Sequence, residues 1–148
     1  MKLSIIIVSY NVKDYIKQCI RSIYRSGLSK NSFEIIVIDN DSHDGTVDDI
    51  KNYFDDIHII ENNVNEGFSK AVNKGIKIAK GNFICLINPD VIIKENTFSV
   101  LMDYLESNSN VGCVGPKIIN ADGSIQHSCK RSFPTPLNAI FRLFSLDK

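Results

Sequence analysis

The chain has no excess charge of either sign: across 148 residues, Lys plus Arg and Asp plus Glu number 17 each. With no global field, nothing draws nucleic acid or an anionic membrane from a distance, so any anion must be bound by local groups. The four cysteines, Cys19, Cys85, Cys113 and Cys129, form no C-x-x-C pair. The first three sit in apolar runs, where thiols act as small hydrophobes, and a reducing cytoplasm is the expected location. His43, His58 and His127 lack metal-site spacing and are expected to be surface or structural residues. Leu3 to Val8 resembles a short signal core, but Ser9, Tyr10, Asn11, Lys13 and Asp14 interrupt it, with no small-residue cleavage site beyond. No run is long and apolar enough to span a bilayer. No G-x-G-x-x-G follows the first apolar run and no G-x-x-x-x-G-K-[ST] occurs, which excludes a dinucleotide pyrophosphate cradle and a P-loop. Internal repeats and low-complexity segments are also missing.

What remains is a composition with 43% hydrophobic and 23% charged residues, enough for one ordinary core. Leu3 to Ser9 reads as a buried strand and Val12 to Arg25 as a helix, with Val12, Tyr15, Ile16, Cys19, Ile20, Ile23 and Tyr24 on one face and Gly27 as the stop. Phe33 to Ile38 is a second strand. Asp44 is the expected N-cap of a helix reaching about Phe54, followed by a short strand at Ile57 to Ile60. Phe68, Ala71, Val72, Gly75, Ile76 and Ala79 mark a helix over Gly67 to Lys80. The continuous apolar run Phe83 to Ile87 suits a central strand covered on both faces, and a further helix is expected over about Glu95 to Ser107. Strands alternating with helices predict an α/β fold with a doubly wound, mainly parallel sheet. After Asn110 the pattern changes. Val111 to Val114 is one more strand candidate, and Lys117 to Ile119 and Ser124 to His127 flank an Asn-Ala-Asp-Gly turn that argues for a hairpin.

Three strand ends carry polar groups: Ser9-Tyr10-Asn11, Asp39-Asn40-Asp41 and Asn88-Pro89-Asp90. In open α/β sheets the ligand sits outside the carboxyl ends of the strands. Pro89 ends the ladder, and the oxygens of Asn88 and Asp90, two residues apart, suit a hard cation such as Mg²⁺ or Mn²⁺ that also takes phosphate and water. Acids and amides along this edge suit hydrogen bonds to a base and ribose, with the metal bridging to a diphosphate.

The stretches SIIIVSYN (4–11), FEIIVIDNDSHDGT (33–46), NEGFSKAVNKGI (65–76) and LINPDV (86–91) together resemble the N-terminal, nucleotide-sugar-binding half of family 2 glycosyltransferases of the GT-A, Rossmann-like fold. Residues 116–136 are similar to a rhamnosyltransferase-like subgroup of that family. The resemblance implies a nucleotide-sugar-binding domain at 1–115, then a hairpin and C-terminal segment at 116–148 leading into an acceptor-binding half beyond this chain. It implies that Ser9, Tyr10 and Asn11 line the nucleoside pocket and that Asp39 and Asn40 contact pyrimidine and ribose. With Asn40 in the second acidic position, a pyrimidine N3–H would meet a neutral amide oxygen, a bond about half as strong as one to a carboxylate. Asp90 matches the second carboxylate of a D-x-D metal motif whose first member is here Asn88, so less charge holds the cation. Gly67, at the start of its helix, lies near the donor in the family, and Lys70 and Lys74 could reach a phosphate, although a solvated helix charge is the simpler reading of each.

The activity implied is transfer of a sugar from a UDP- or dTDP-sugar, dTDP-rhamnose among them, to a saccharide or lipid-linked acceptor, with inversion. The family's general base lies in a later acidic segment, so no catalytic base is assigned, and the chain alone is expected to bind a donor without robust transfer. The alternative is a flavodoxin-like or receiver-like Mg²⁺-binding module using Asp39 and Asp90, for which Lys94 and Lys117 are poorly placed. Finally, Leu137, Ile140, Phe141 and Phe144 recur at helical spacing within 133–146. The first expectation for this stripe is a homodimer interface. Packing on its own domain and contact with the inner face of the membrane, aided by Lys130, Arg131 and Arg142, are the other two.

Overall fold

The structure, a computed structural model, describes residues 2–120, 122–126 and 135. The chain divides into two compact units, Met1–Cys113 and Val114–Lys148. In the first, the elements run β1 (Leu3–Ser9), α1 (Lys13–Tyr24), β2 (Phe33–Asp39), α2 (Thr46–Tyr53), β3 (Ile57–Glu61), α3 (Phe68–Ile78), β4 (Phe83–Ile87) and α4 (Thr97–Ser107). All strand pairs are parallel, in the order β3-β2-β1-β4. This is the 3-2-1-4 order of a Rossmann-like sheet; a flavodoxin-like sheet would place its third strand beyond the first. The alternative drawn from the sequence is thereby excluded.

Alternation along the strands divides the core between two faces. Leu3, Ile5, Ile7, Phe33, Ile35 and Val37 pack with Ile16, Cys19, Ile20 and Ile23 of α1, Ile50 of α2, and Phe98 and Met102 of α4. On the other face Ile6, Ile36 and Ile38 meet Ala71 of α3. Each fully buried isoleucine contributes roughly 1.5–3 kcal/mol relative to exposure. Gly75 lets α3 lie close on β1, because a Cβ there would stand 2.7 Å from Ile6 Cγ2. At the N-terminal edge, the buried Glu34 carboxylate accepts the Ser4 hydroxyl and the Lys80 N–H, both at 2.6 Å, and Ser4 Oγ accepts the Gly81 N–H at 2.8 Å. Burial works against the charge on Glu34, and these two bonds overcome it and hold its carboxyl below the ordinary value.

Several expectations change. β4 is not central but the edge strand of the described sheet, with Ile84 at 45% and Leu86 at 49% exposure. On α3, Phe68 and Ile76 are exposed and only Ala71, Val72 and Gly75 are buried, and Tyr15 of α1 points outward. An apolar run or stripe states what a face could bury, and only the neighbouring elements decide what it does bury. Residues 111–114 form no strand; Gly112, Gly115 and Pro116 disfavour one on entropy and on loss of a donor.

In the second unit, Ile119 and Ile125 form an antiparallel bridge. Asn120 N–H donates to Ser124 O at 2.8 Å and Gln126 N–H to Ile118 O at 3.0 Å, with Gly123 at φ +85°. The chain thus reverses at the expected Asn-Ala-Asp-Gly turn, but with a single bridge in place of the two strands expected at Lys117–Ile119 and Ser124–His127. His127, Cys129 and the 133–146 stripe, with its dimer and membrane expectations, lie outside the described residues apart from Thr135.

Candidate functional site

The polar strand ends gather on one edge because β1 lies between β2 and β4 and all run the same way, with Ser9 paired to Asp39 and Ile7 to Ile87. Asp39 is 2% exposed. Its Oδ1 accepts the hydroxyls of Ser9 at 2.8 Å and Ser42 at 2.6 Å, and its Oδ2 accepts the Ser42 N–H at 2.8 Å. Ser42 Oγ in turn accepts the Asn11 N–H at 2.9 Å, and Asn11 Oδ1 accepts the His43 N–H at 2.8 Å. Asn11 and Asp41 sit at φ +52° and +70°, a left-handed conformation that these two residue types tolerate. The loops after β1 and β2 are therefore one hydrogen-bonded frame built on a buried carboxylate, and Tyr10 stands exposed beside it.

Asp44 joins the same frame to the two helices that follow. The α2 N-cap position belongs to Gly45 at φ +82°, not to Asp44 as the sequence suggests. The Asp44 carboxylate still performs the capping, accepting Thr46 N–H at 3.0 Å and Thr46 Oγ at 2.5 Å, and it also accepts Lys13 N–H at 3.0 Å at the start of α1. Partial burial opposes its charge, and these bonds outweigh that and lower its pKa.

A second network occupies the ends of β2 and β3. Asn40, 3% exposed, continues the ladder through its N–H to Ser9 O at 2.8 Å, and Asn62 N–H bonds Asp39 O at 2.9 Å. Asn62 Nδ2 donates to Asn40 Oδ1 at 2.8 Å, and Lys74 Nζ donates to Asn62 Oδ1 at 2.6 Å while pairing with Glu66. Lys74, with its side chain 39% exposed, is thus held by Asn62 and Glu66. Asn62, Ser42 and Glu66 do not stand out in the sequence. The available signal for Asn62 is that it follows an apolar strand as Asn40 follows β2.

At the end of β4, Asn88 and Asp90 are exposed. The Asn88 carbonyl accepts the Val91 N–H at 3.3 Å and the Cys19 thiol at 3.7 Å, which ties this turn to α1. Burial, then the negative charge of Asp90, pushes the Cys19 thiol up to about 12, and burial pushes Cys85 to about 11. Neither is a nucleophile at neutral pH. No cluster of three His, Cys, Asp or Glu side chains able to hold a metal occurs among the described residues. The donor set at Asn88 and Asp90 therefore fits a cation that keeps phosphate and water ligands, not one caged by protein. Gly67 precedes α3 at φ +81°, with open space where a Cβ would lie, so its requirement is conformational and not steric. Lys70 is exposed on the first turn of α3.

A parallel 3-2-1-4 sheet with polar groups gathered beyond its carboxyl ends defines a Rossmann-like α/β domain, a class that takes its ligands at that edge. The chain belongs to glycosyl transferase family 2, whose model matches residues 4–146. It is 32% identical over 139 residues to the poly(ribitol-phosphate) beta-glucosyltransferase of Bacillus spizizenii, a match that covers 90% of this chain and 22% of that protein. It is 28% identical over 139 residues to the poly(ribitol-phosphate) beta-N-acetylglucosaminyltransferase TarS of Staphylococcus aureus, covering 90% of this chain and 24% of the relative. The chain thus spans about a quarter of the length of these relatives. The crystal structure of S. aureus TarS 1-349 with UDP-GlcNAc superposes with a TM-score of 0.68 at 24% identity, over 79% of this chain and 37% of that one. The mannosyltransferase PcManGT of Pyrobaculum calidifontis, in complex with GDP-Man and Mn²⁺, gives 0.71 at 21% identity, over 78% and 36%. Both likenesses establish the GT-A fold.

Proposed function

We propose that this chain is the donor-binding part of an inverting glycosyltransferase that takes its sugar from a UDP- or dTDP-sugar. The observation that carries the reading is the single edge on which the Ser9–Asn11, Asp39–Asn40 and Asn88–Asp90 ends meet, in a chain of this family. The frame built on Asp39 positions the loops that line a nucleoside. Gly67 and Lys70, at the start of α3, stand toward the donor. Asp90 and Asn88 would hold Mg²⁺ or Mn²⁺, which supplies charge neutralisation to a diphosphate leaving group. The relatives' names favour a glucose-type donor and a poly(ribitol phosphate) acceptor, a form of glycan acceptor. The likeness of 116–136 to rhamnosyltransferases keeps dTDP-rhamnose as the second donor.

Calorimetric titration with UDP and dTDP, with and without Mn²⁺, tests the reading. Binding should require the cation, and Asp90→Ala should weaken it at least about tenfold, on the order of 1.4 kcal/mol. Equal affinity in the variant sinks the metal assignment. No binding of either nucleotide by the wild type sinks the function.

A further inference from the structure

The direction of the hydrogen bonds in the Lys74–Asn62–Asn40 network follows from chemistry alone. A lysine ammonium only donates, so the Asn62 atom 2.6 Å from Lys74 Nζ is the amide oxygen. Asn62 then turns its NH₂ towards Asn40, and the Asn40 atom 2.8 Å away must be the oxygen. The Asn40 NH₂ makes no hydrogen bond among the described residues and is not fully buried, so on a side chain only 3% exposed it is the end of the amide left open at the ligand edge. A donor open only at that edge exchanges water for a ligand acceptor when one binds there.

We propose that Asn40 reads the base as a donor, through Nδ2, and that Asn62 and Lys74 are positioning residues that fix this polarity. This deepens and rests on the nucleotide-donor reading above, and it reverses the sequence expectation that an Asn40 oxygen meets a pyrimidine N–H. The group recognised is a hydrogen-bond acceptor on the base edge. Uracil and cytosine carry opposite groups at both positions 3 and 4: N–H and C=O in one, N and NH₂ in the other. Whichever of the two positions Asn40 reaches, exchanging its donor for an acceptor must invert the preference between them.

The test is the UDP-to-CDP affinity ratio of the full chain in Mn²⁺ for the wild type, Asn62→Asp and Asn40→Asp. Asn62→Asp still accepts from Lys74 but has no donor for Asn40, whose amide should flip and present its oxygen. Asn40→Asp presents an oxygen directly. The wild type should prefer one nucleotide about tenfold, and both folded variants should prefer the other. A merely structural role for Asn62 would weaken both nucleotides alike. In the wild type, the side-chain amide protons of Asn40 should also shift in NMR spectra on nucleotide addition, a readout that needs no variant. A wild type without preference, folded variants that keep its preference, or unmoved Asn40 protons would overturn the inference while leaving nucleotide binding intact. Failure of the wild type to bind either nucleotide would remove the functional reading and the inference with it.

Discussion

Replacing Asp39 with Asn tests whether the buried carboxylate is the structural centre of the binding edge. The two side chains have the same shape, so the change isolates charge and acceptor capacity. In the wild type three donors converge on it: the Ser9 and Ser42 hydroxyls and the Ser42 N–H. In the variant one oxygen becomes NH₂. The Ser42 N–H loses its acceptor, costing about 1–2 kcal/mol, and the two hydroxyls exchange a charged acceptor for a neutral one at roughly 0.5–1 kcal/mol each. The sum is about 3 kcal/mol, a large part of the 5–15 kcal/mol typical of a domain. With a urea m-value of about 1.5 kcal/mol/M, the midpoint should fall by about 2 M at unchanged slope, as read by circular dichroism. A fall of less than about 0.3 M would show that the frame does not depend on the carboxylate, leaving Asp39 as a ligand contact alone.

Gly75→Ala should destabilise the fold although alanine favours a helix by about 1 kcal/mol, because the new Cβ meets Ile6 Cγ2 at 2.7 Å and overpacking costs about 1–3 kcal/mol. A double-mutant cycle with Ile6→Ala, read by thermal melting, should show a coupling of at least about 1 kcal/mol, and additive effects would refute the contact. Asp44→Ala should cost about 1–2 kcal/mol at neutral pH through loss of the bonds to Thr46 and Lys13. Since folding lowers the Asp44 pKa, its contribution is present above the ordinary carboxyl value and disappears as pH falls through the lower folded value. Wild type and variant should therefore converge in stability in acid, and a gap that persists there would contradict the assignment.

Element identity was legible because it rests on local periodicity: β1 spans Leu3–Ser9 as read, and α1, α3 and α4 fall within a few residues of the expected spans. The polar strand ends were legible too, since alternating strands and helices make the sheet parallel and a parallel sheet puts those ends on one side. The place of β4 at the edge of the described sheet was not. An apolar run records what can be buried, whereas exposure of Ile84 and Leu86 depends on which elements lie beside them. The sequence by itself thus determined the fold class and the side of the sheet on which the polar strand ends gather, because both follow from short-range pattern and chain direction. Tertiary structure alone decided that Asp44 caps from one residue outside the N-cap and that Lys74 is committed to Asn62 and Glu66. It also decided which end of the Asn40 amide is left to donate, because hydrogen-bond polarity passes between side chains that only folding brings together.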